Sequence, residues 1–142
     1  MHRGIAIQPY KMPLQPAEGA VPVTGTKVVP PAVPQNQAFL DRLENPVQRT
    51  ATSLDRGRER FDIYCAVCHG AEGLGDGPVA SSLANAVRNL TDQRVLEQSD
   101  GWTYAVVTHG FGALMPSYGG RIVPEDRWHI VNYVRSLQGG SR

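Results

Sequence analysis

No stretch of the 142-residue sequence approaches the roughly 18–20 consecutive apolar residues that a membrane-spanning helix needs. Charge of one sign is also lacking. Two lysines and twelve arginines stand against 13 acidic residues, a formal net charge of +1. A chain that neutralises phosphates carries a clear basic excess, so nucleic acid is excluded as a partner. No window alternates convincingly with the period of two that marks a sheet. The length rules out a large multidomain enzyme and allows one domain, or a small domain with a tail. There are only two cysteines. What is left is a soluble or peripherally attached protein, and the two cysteines carry most of the remaining information.

Proline is concentrated at one end. Eight of the eleven prolines lie in residues 1–50 (Pro9, Pro13, Pro16, Pro22, Pro30, Pro31, Pro34 and Pro46). Each fixes φ and removes a backbone donor, which excludes a long helix or a central strand. The apolar residues between them, such as Ile5, Tyr10, Val21, Val28 and Val33, occur singly or in pairs. Such a segment prefers extended, polyproline-like conformations. It reads either as a disordered leader or as an extended arm that orders on a partner, and the valines and sparse charge favour the arm. A short helix is expected over residues 36–43.

From residue 51 onward the pattern becomes helical, and residues 51–142 form the expected folded domain. The spacing of Leu54, Gly57, Phe61 and Tyr64 predicts a helix over 54–64, capped by Ser53 or Asp55. A short helix is expected over 92–98 after Thr91, and another over 100–109 that stops at Gly110. The last helix starts at Pro124, with Glu125 and Asp126 at the positive end of its dipole, and stops at Gly139-Gly140. Trp128, Val131, Val134 and Leu137 mark its apolar face. The fold class is therefore small and all-α. About 90 residues with a glycine-rich stretch at 70–77 make a thin core, and domains of that size often need a disulfide, metal or cofactor.

Cys65-Ala66-Val67-Cys68-His69 supplies that group. Two cysteines three apart share a face of a helical turn, where their sulfurs can form thioethers to the two vinyl groups of a haem. The adjacent His69 then offers its imidazole to the iron, and the spacing is the sequence signal for c-type haem attachment. A thioredoxin-like pair would follow a strand of a βαβ unit, which the pattern lacks. A zinc site needs four ligands, and no second Cys or His pair has suitable spacing. For the sixth iron position, Met1 and Met12 lie in the tail and Met115 alone lies in the domain. Met115 occupies a glycine-bearing loop ahead of Pro116, so it is the expected ligand. His109, at a helix end, and His129, beside Trp128, are the rivals, expected at the surface and on a flank.

These motifs resemble the class I cytochromes c over residues 53–138. The resemblance rests on Gly57 and Phe61, on Cys65-x-x-Cys68-His69-Gly70, on Gly73-x-Gly75-Asp76-Gly77-Pro78, on Met115-Pro116, and on Trp128 to Leu137. It implies one covalent haem c held in a small helical fold, with Gly57 and Tyr133 where the first and last helices cross. It also implies that the Pro78 carbonyl accepts a hydrogen bond from the outer nitrogen of His69. The runs Arg56-Gly57-Arg58-Glu59-Arg60-Phe61, Thr108-His109-Gly110-Phe111-Gly112 and Pro124-Glu125-Asp126-Arg127-Trp128 further resemble the mono-haem cytochrome subunit of bacterial alternative complex III, as do pieces of the leader around Gln8-Pro9-Tyr10 and Val21-Pro22-Val23. That complex oxidises quinol in the membrane and passes electrons to a periplasmic acceptor. Such subunits commonly carry an N-terminal lipidated cysteine; here both cysteines are used by haem. Attachment would then come from the arm gripping partner subunits or from a residue outside this chain.

The resemblance implies an electron-transfer subunit on the periplasmic side of the bacterial inner membrane. Its partners would be other subunits, bound through residues 1–50, a haem-bearing donor and a periplasmic acceptor. With His69 and Met115 both on the iron, no substrate chemistry of its own is expected. Arg88, Arg94, Trp102 and Tyr118 are candidate propionate partners. The alternatives are a free periplasmic carrier cytochrome and a haem sensor in which Met115 yields to an external ligand. Thioether attachment takes place outside the bacterial cytoplasm, yet residues 1–20 lack the charged start and apolar stretch of a signal peptide. A trimmed leader or a different start is therefore expected.

Overall fold

A computed structural model of the chain describes residues 36–84 and 86–139. Among the described residues six α-helices follow one another: α1 (Gln37–Leu40), α2 (Ala51–Tyr64), α3 (Ala66–His69), α4 (Gln93–Leu96), α5 (Asp100–His109) and α6 (Pro124–Leu137). A 3-10 turn at Ser81–Leu83 lies between α3 and α4. The described residues contain no strand, only an isolated bridge between Phe111 and Met115. None of the helices described is long and apolar enough to cross a membrane.

The crossing of α2 with α6 organises the fold. Residue 57 has no room for a side chain: a Cβ there would overlap the His129 carbonyl and the Tyr133 Cβ, so glycine lets the two backbones meet. Phe61 and Tyr133 pack edge to face beside it, with ring centroids 5.3 Å apart. Phe61, Cys65, Ile122, Ile130 and Val134 form the first core cluster. Charge ties the same helices at the rim, where Asp126 accepts from Arg56 Nε and Nη2 at 2.7 and 2.9 Å and lies 3.1 Å from Arg60 Nε.

A second cluster joins α5 to α6 through Tyr104, Trp128 and Val131, the two rings stacked at 4.0 Å. Leu43 and Val47 pack against it. The segment 36–50, expected as extended arm apart from its short helix, is thus partly built into the domain. Leu40 is fully buried, and its carbonyl and Leu43 lie against α5 at Gly101. Asn45 Nδ2 donates to Asn132 Oδ1 (2.9 Å), while Asn132 Nδ2 donates to the Val47 carbonyl (3.1 Å) and Ser53 Oγ (2.9 Å). The rest of the expected arm lies outside the described residues.

Helix limits differ from expectation where capping chemistry decides them. α2 begins three residues before 54 because Thr50 is the cap, its hydroxyl accepting from the Ser53 amide. Ser53 is buried instead and hydrogen-bonds His129 Nδ1 at 2.9 Å, which gives that flank histidine an internal partner. Asp92, not Thr91, caps α4, since Thr91 is turned onto the Asn89 side chain. Ser99 caps α5, and Pro124 starts α6 as its spacing predicts.

Candidate functional site

Between α2, α5, α6 and the two long connections lies a cleft of about 440 Å³. Cofactor pockets commonly measure about 300–1,000 Å³. Its apolar walls include Phe61, Leu90, Val95, Val106, Val107, Ile130 and Val134. Cys65, Cys68, His69 and Met115 all face this one cleft. The topology therefore brings together four of the five residues singled out from the sequence, although Met115 lies 46 positions beyond His69.

The cysteines are unbridged; Cys65 is buried and Cys68 half-buried. Burial pushes the Cys65 thiol up to about 12, with the Cys68 and Asp62 charges adding to it. It is thus a neutral thiol and a poor thiolate ligand. Among the described residues no group of three or more His, Cys, Asp or Glu side chains could hold a metal ion.

His69 Nδ1 lies 3.0 Å from the Arg88 carbonyl. A carbonyl only accepts, so Nδ1 carries the proton and Nε2 keeps a lone pair for a metal. Burial lowers the imidazole pKa, partly opposed by the Arg88 hydrogen bond, and so favours the same neutral form. This corrects the expectation for Pro78, which is exposed and does not line the cleft. The correction has a local cause. The glycine-rich loop folds back on the motif, Gly75 and Gly77 donating to the His69 and Cys68 carbonyls at 2.8 and 3.0 Å. Gly75, at φ +83°, then lets the Val87 carbonyl and Arg88 approach closely, and Leu90 N donates to the Gly73 carbonyl at 2.7 Å. The 86–90 segment is thereby laid across the outer edge of the imidazole.

Met115 arrives on the connection from α5 to α6. Its amide and carbonyl pair with those of Phe111 at 3.2 and 3.0 Å, closing a tight loop. Tyr118 then ties this connection to the cysteine-bearing end of α2, its hydroxyl donating to the Tyr64 carbonyl at 3.1 Å. Arg88, Arg94, Trp102 and Tyr118 also line the cleft. His109 and His129 do not.

An apolar cleft with two thiols, a neutral imidazole and a thioether fits a covalently held haem, and comparison with known proteins agrees. The family described as cytochrome C oxidase, cbb3-type, subunit III matches residues 52–134. The cbb3-type oxidase subunit FixP of Azorhizobium caulinodans is 36% identical over 86 residues, 60% of this chain and 27% of FixP. The chain thus spans about a quarter of that relative. Cytochrome c6 of Porphyra purpurea is 34% identical over 86 residues, 61% of this chain and 73% of that protein. Among solved structures, a chain of the Kuenenia stuttgartiensis reducing HAO-like protein complex superposes with a TM-score of 0.56 at 27% identity, covering 71% of this chain and 54% of that one. Cytochrome cL from Hyphomicrobium denitrificans shares the fold, with a TM-score of 0.52 at 22% identity over 83% of this chain and 64% of that one.

Fold and site together define a cytochrome c domain with covalent haem c. The chain belongs to the cytochrome c family that includes the cbb3-type subunit III proteins.

Proposed function

We propose that Cys65 and Cys68 would hold the haem through thioethers, that His69 and Met115 would ligate its iron, and that the chain relays electrons within a membrane respiratory complex. When bound, the haem supplies an iron that gains or loses one electron. The residues of the chain set how that happens. The Arg88 carbonyl fixes the imidazole tautomer and strengthens His69 as a donor. Met115 offers a soft thioether, which favours ferrous iron and so a high potential. The walls of the cleft are largely apolar, which keeps its interior at low polarity. The single observation that carries the reading is the convergence of His69 and Met115 on one apolar cleft beside both cysteines.

The complex is a quinol-oxidising one of the alternative complex III kind, on the periplasmic side of the bacterial inner membrane. Residues 51–142 hold the haem, and the part of residues 1–50 that precedes the packed segment 36–50 supplies the arm. A haem-bearing subunit donates, and a periplasmic protein accepts. The proline-rich leader supports a bound partner, as does similarity to a relative named as an oxidase subunit. A free periplasmic carrier is the second reading, favoured by similarity to cytochrome c6, most of whose length is matched.

Met115→Ala tests the ligand pair. It should lower the midpoint potential and let the ferrous protein bind carbon monoxide quickly; an unaltered spectrum would refute the assignment. Mild-detergent extraction tests the setting. The complex predicts copurification with membrane subunits, lost when residues 1–35 are deleted. A membrane-free monomer at physiological salt would support the carrier instead.

A further inference from the structure

Arg127 is a buried cation, 6% exposed, that plays no part in lining the cleft. Its Nε donates to the Ile122 carbonyl at 3.0 Å, Nη1 to Thr108 Oγ1 at 2.7 Å and Nη2 to the Gly119 carbonyl at 3.3 Å. The guanidinium sits 5.3 Å from the centroid of the Tyr104 ring. Every one of these partners is neutral. The neighbouring Asp126 is engaged by Arg56 and Arg60. A buried charge is tolerated only where hydrogen bonds replace its water. Here all three go to the ends of one connection: Thr108 in the last turn of α5, and Gly119 and Ile122 where the chain returns towards α6. Met115 lies between them.

Thr108 extends the clamp. Its hydroxyl accepts from Arg127 while donating to the Tyr104 carbonyl at 2.8 Å. Its own carbonyl accepts from Ser117 Oγ at 2.7 Å and from the Gly119 amide at 3.0 Å. The tip lines the cleft through Phe111 and Leu114, and Phe111 packs against Trp102 with ring centroids 5.7 Å apart. The ends of the loop, which carry Met115 between them, are held by the Arg127 and Thr108 hydrogen bonds.

We propose that Arg127 is a positioning residue that clamps the Met115 loop so that the thioether stays seated in the cleft, an inference that rests on Met115 being the axial ligand. Met115 and an added ligand compete for one coordination position, so the apparent affinity of the added ligand falls as the seated population rises. Losing a charge-assisted hydrogen bond should raise that affinity about tenfold to a hundredfold.

The experiment titrates the ferric full-length holoprotein with imidazole, following the charge-transfer absorption of the iron–thioether bond. Arg127→Lys keeps the charge but loses the fork, and Thr108→Val removes one acceptor of that fork. Both should bind imidazole at least tenfold more tightly, with a weaker band. Arg135→Lys is the comparison: on the same helix, Arg135 pairs with Asp100 at 2.7 Å, away from the loop, and its change should leave imidazole affinity unaltered. An Arg127→Lys affinity within about twofold of the parent, or an equal shift in Arg135→Lys, would overturn the clamp. If Arg127→Lys does not accumulate as a red protein, Thr108→Val decides by the same criterion. A parent protein without the band, or a Met115→Ala protein that keeps it, would instead refute the ligand assignment and remove the ground of this inference.

Discussion

At the scale of single residues, two positions have outsized consequences because a backbone carbonyl is what a neighbour meets there. Gly57 faces the His129 carbonyl, which cannot step aside as a side-chain end could. Gly57→Ala should therefore cost about 3 kcal/mol, the upper part of the overpacking range. For a domain of this size that is a fall in Tm on the order of 10 °C, to be read by thermal unfolding of the holoprotein. Tyr133 packs across the same crossing, and burial raises its phenol pKa above the ordinary value of 10.0, with the Arg58 charge opposing. The folded protein holds this proton to higher pH than the unfolded chain does. The resulting stability is complete below about pH 10 and declines as pH rises through the folded value. Denaturant titrations at several alkaline pH values should show Tyr133→Phe losing less stability than the parent; parallel curves would contradict the assignment. The second position is Arg88, whose contribution to His69 is a carbonyl. Any residue could supply it, so no side-chain signature points to it. Pro78, by contrast, was suggested by family resemblance, and the fold carries it to the surface.

At the scale of elements, the segment 36–50 departs most from its reading as an arm. Its one proline, Pro46, and its scattered apolar residues suit an extended chain, and composition alone cannot say that Leu40, Leu43 and Val47 meet α5 and α6. Truncation separates the two roles. Removing residues 1–35 should leave a red domain with nearly the parent Tm. Removing 1–50 also strips Leu40, worth about 1.5–3 kcal/mol by burial alone, and leaves Asn132 without its Asn45 and Val47 partners. Calorimetry of the two truncations should show a marked drop for the second only; equal Tm values would mean the packed segment is dispensable. The helices with strong local signals were readable: α5 with its Gly110 stop and α6 with its Pro124 start follow their patterns. α2 starts three residues before its apolar pattern predicts because Ser53, a good cap by type, is held in a buried network centred on Asn132. That network depends on partners 76 and 79 positions away, which local pattern cannot register.

At the scale of the molecule, the proposed attachment residues stand out in the sequence because haem c attachment concentrates its requirements in five consecutive residues, here Cys65 to His69. Met115, the proposed sixth ligand, stands out by scarcity, since residues 51–142 hold one methionine. What remained hidden is the support around them: the 86–90 segment over His69, Tyr118 joined to Tyr64, and the clamp from Arg127 to the Met115 loop. These are backbone acceptors and long-range contacts, fixed only once the helices cross. The most direct test of the central claim, that one haem is covalently joined to both cysteines, is the intact mass of the denatured holoprotein after treatment with a thiol-alkylating reagent. The account predicts a mass greater than that of the polypeptide by one haem, with no alkyl group added. A polypeptide of bare mass, carrying two alkyl groups, would contradict it.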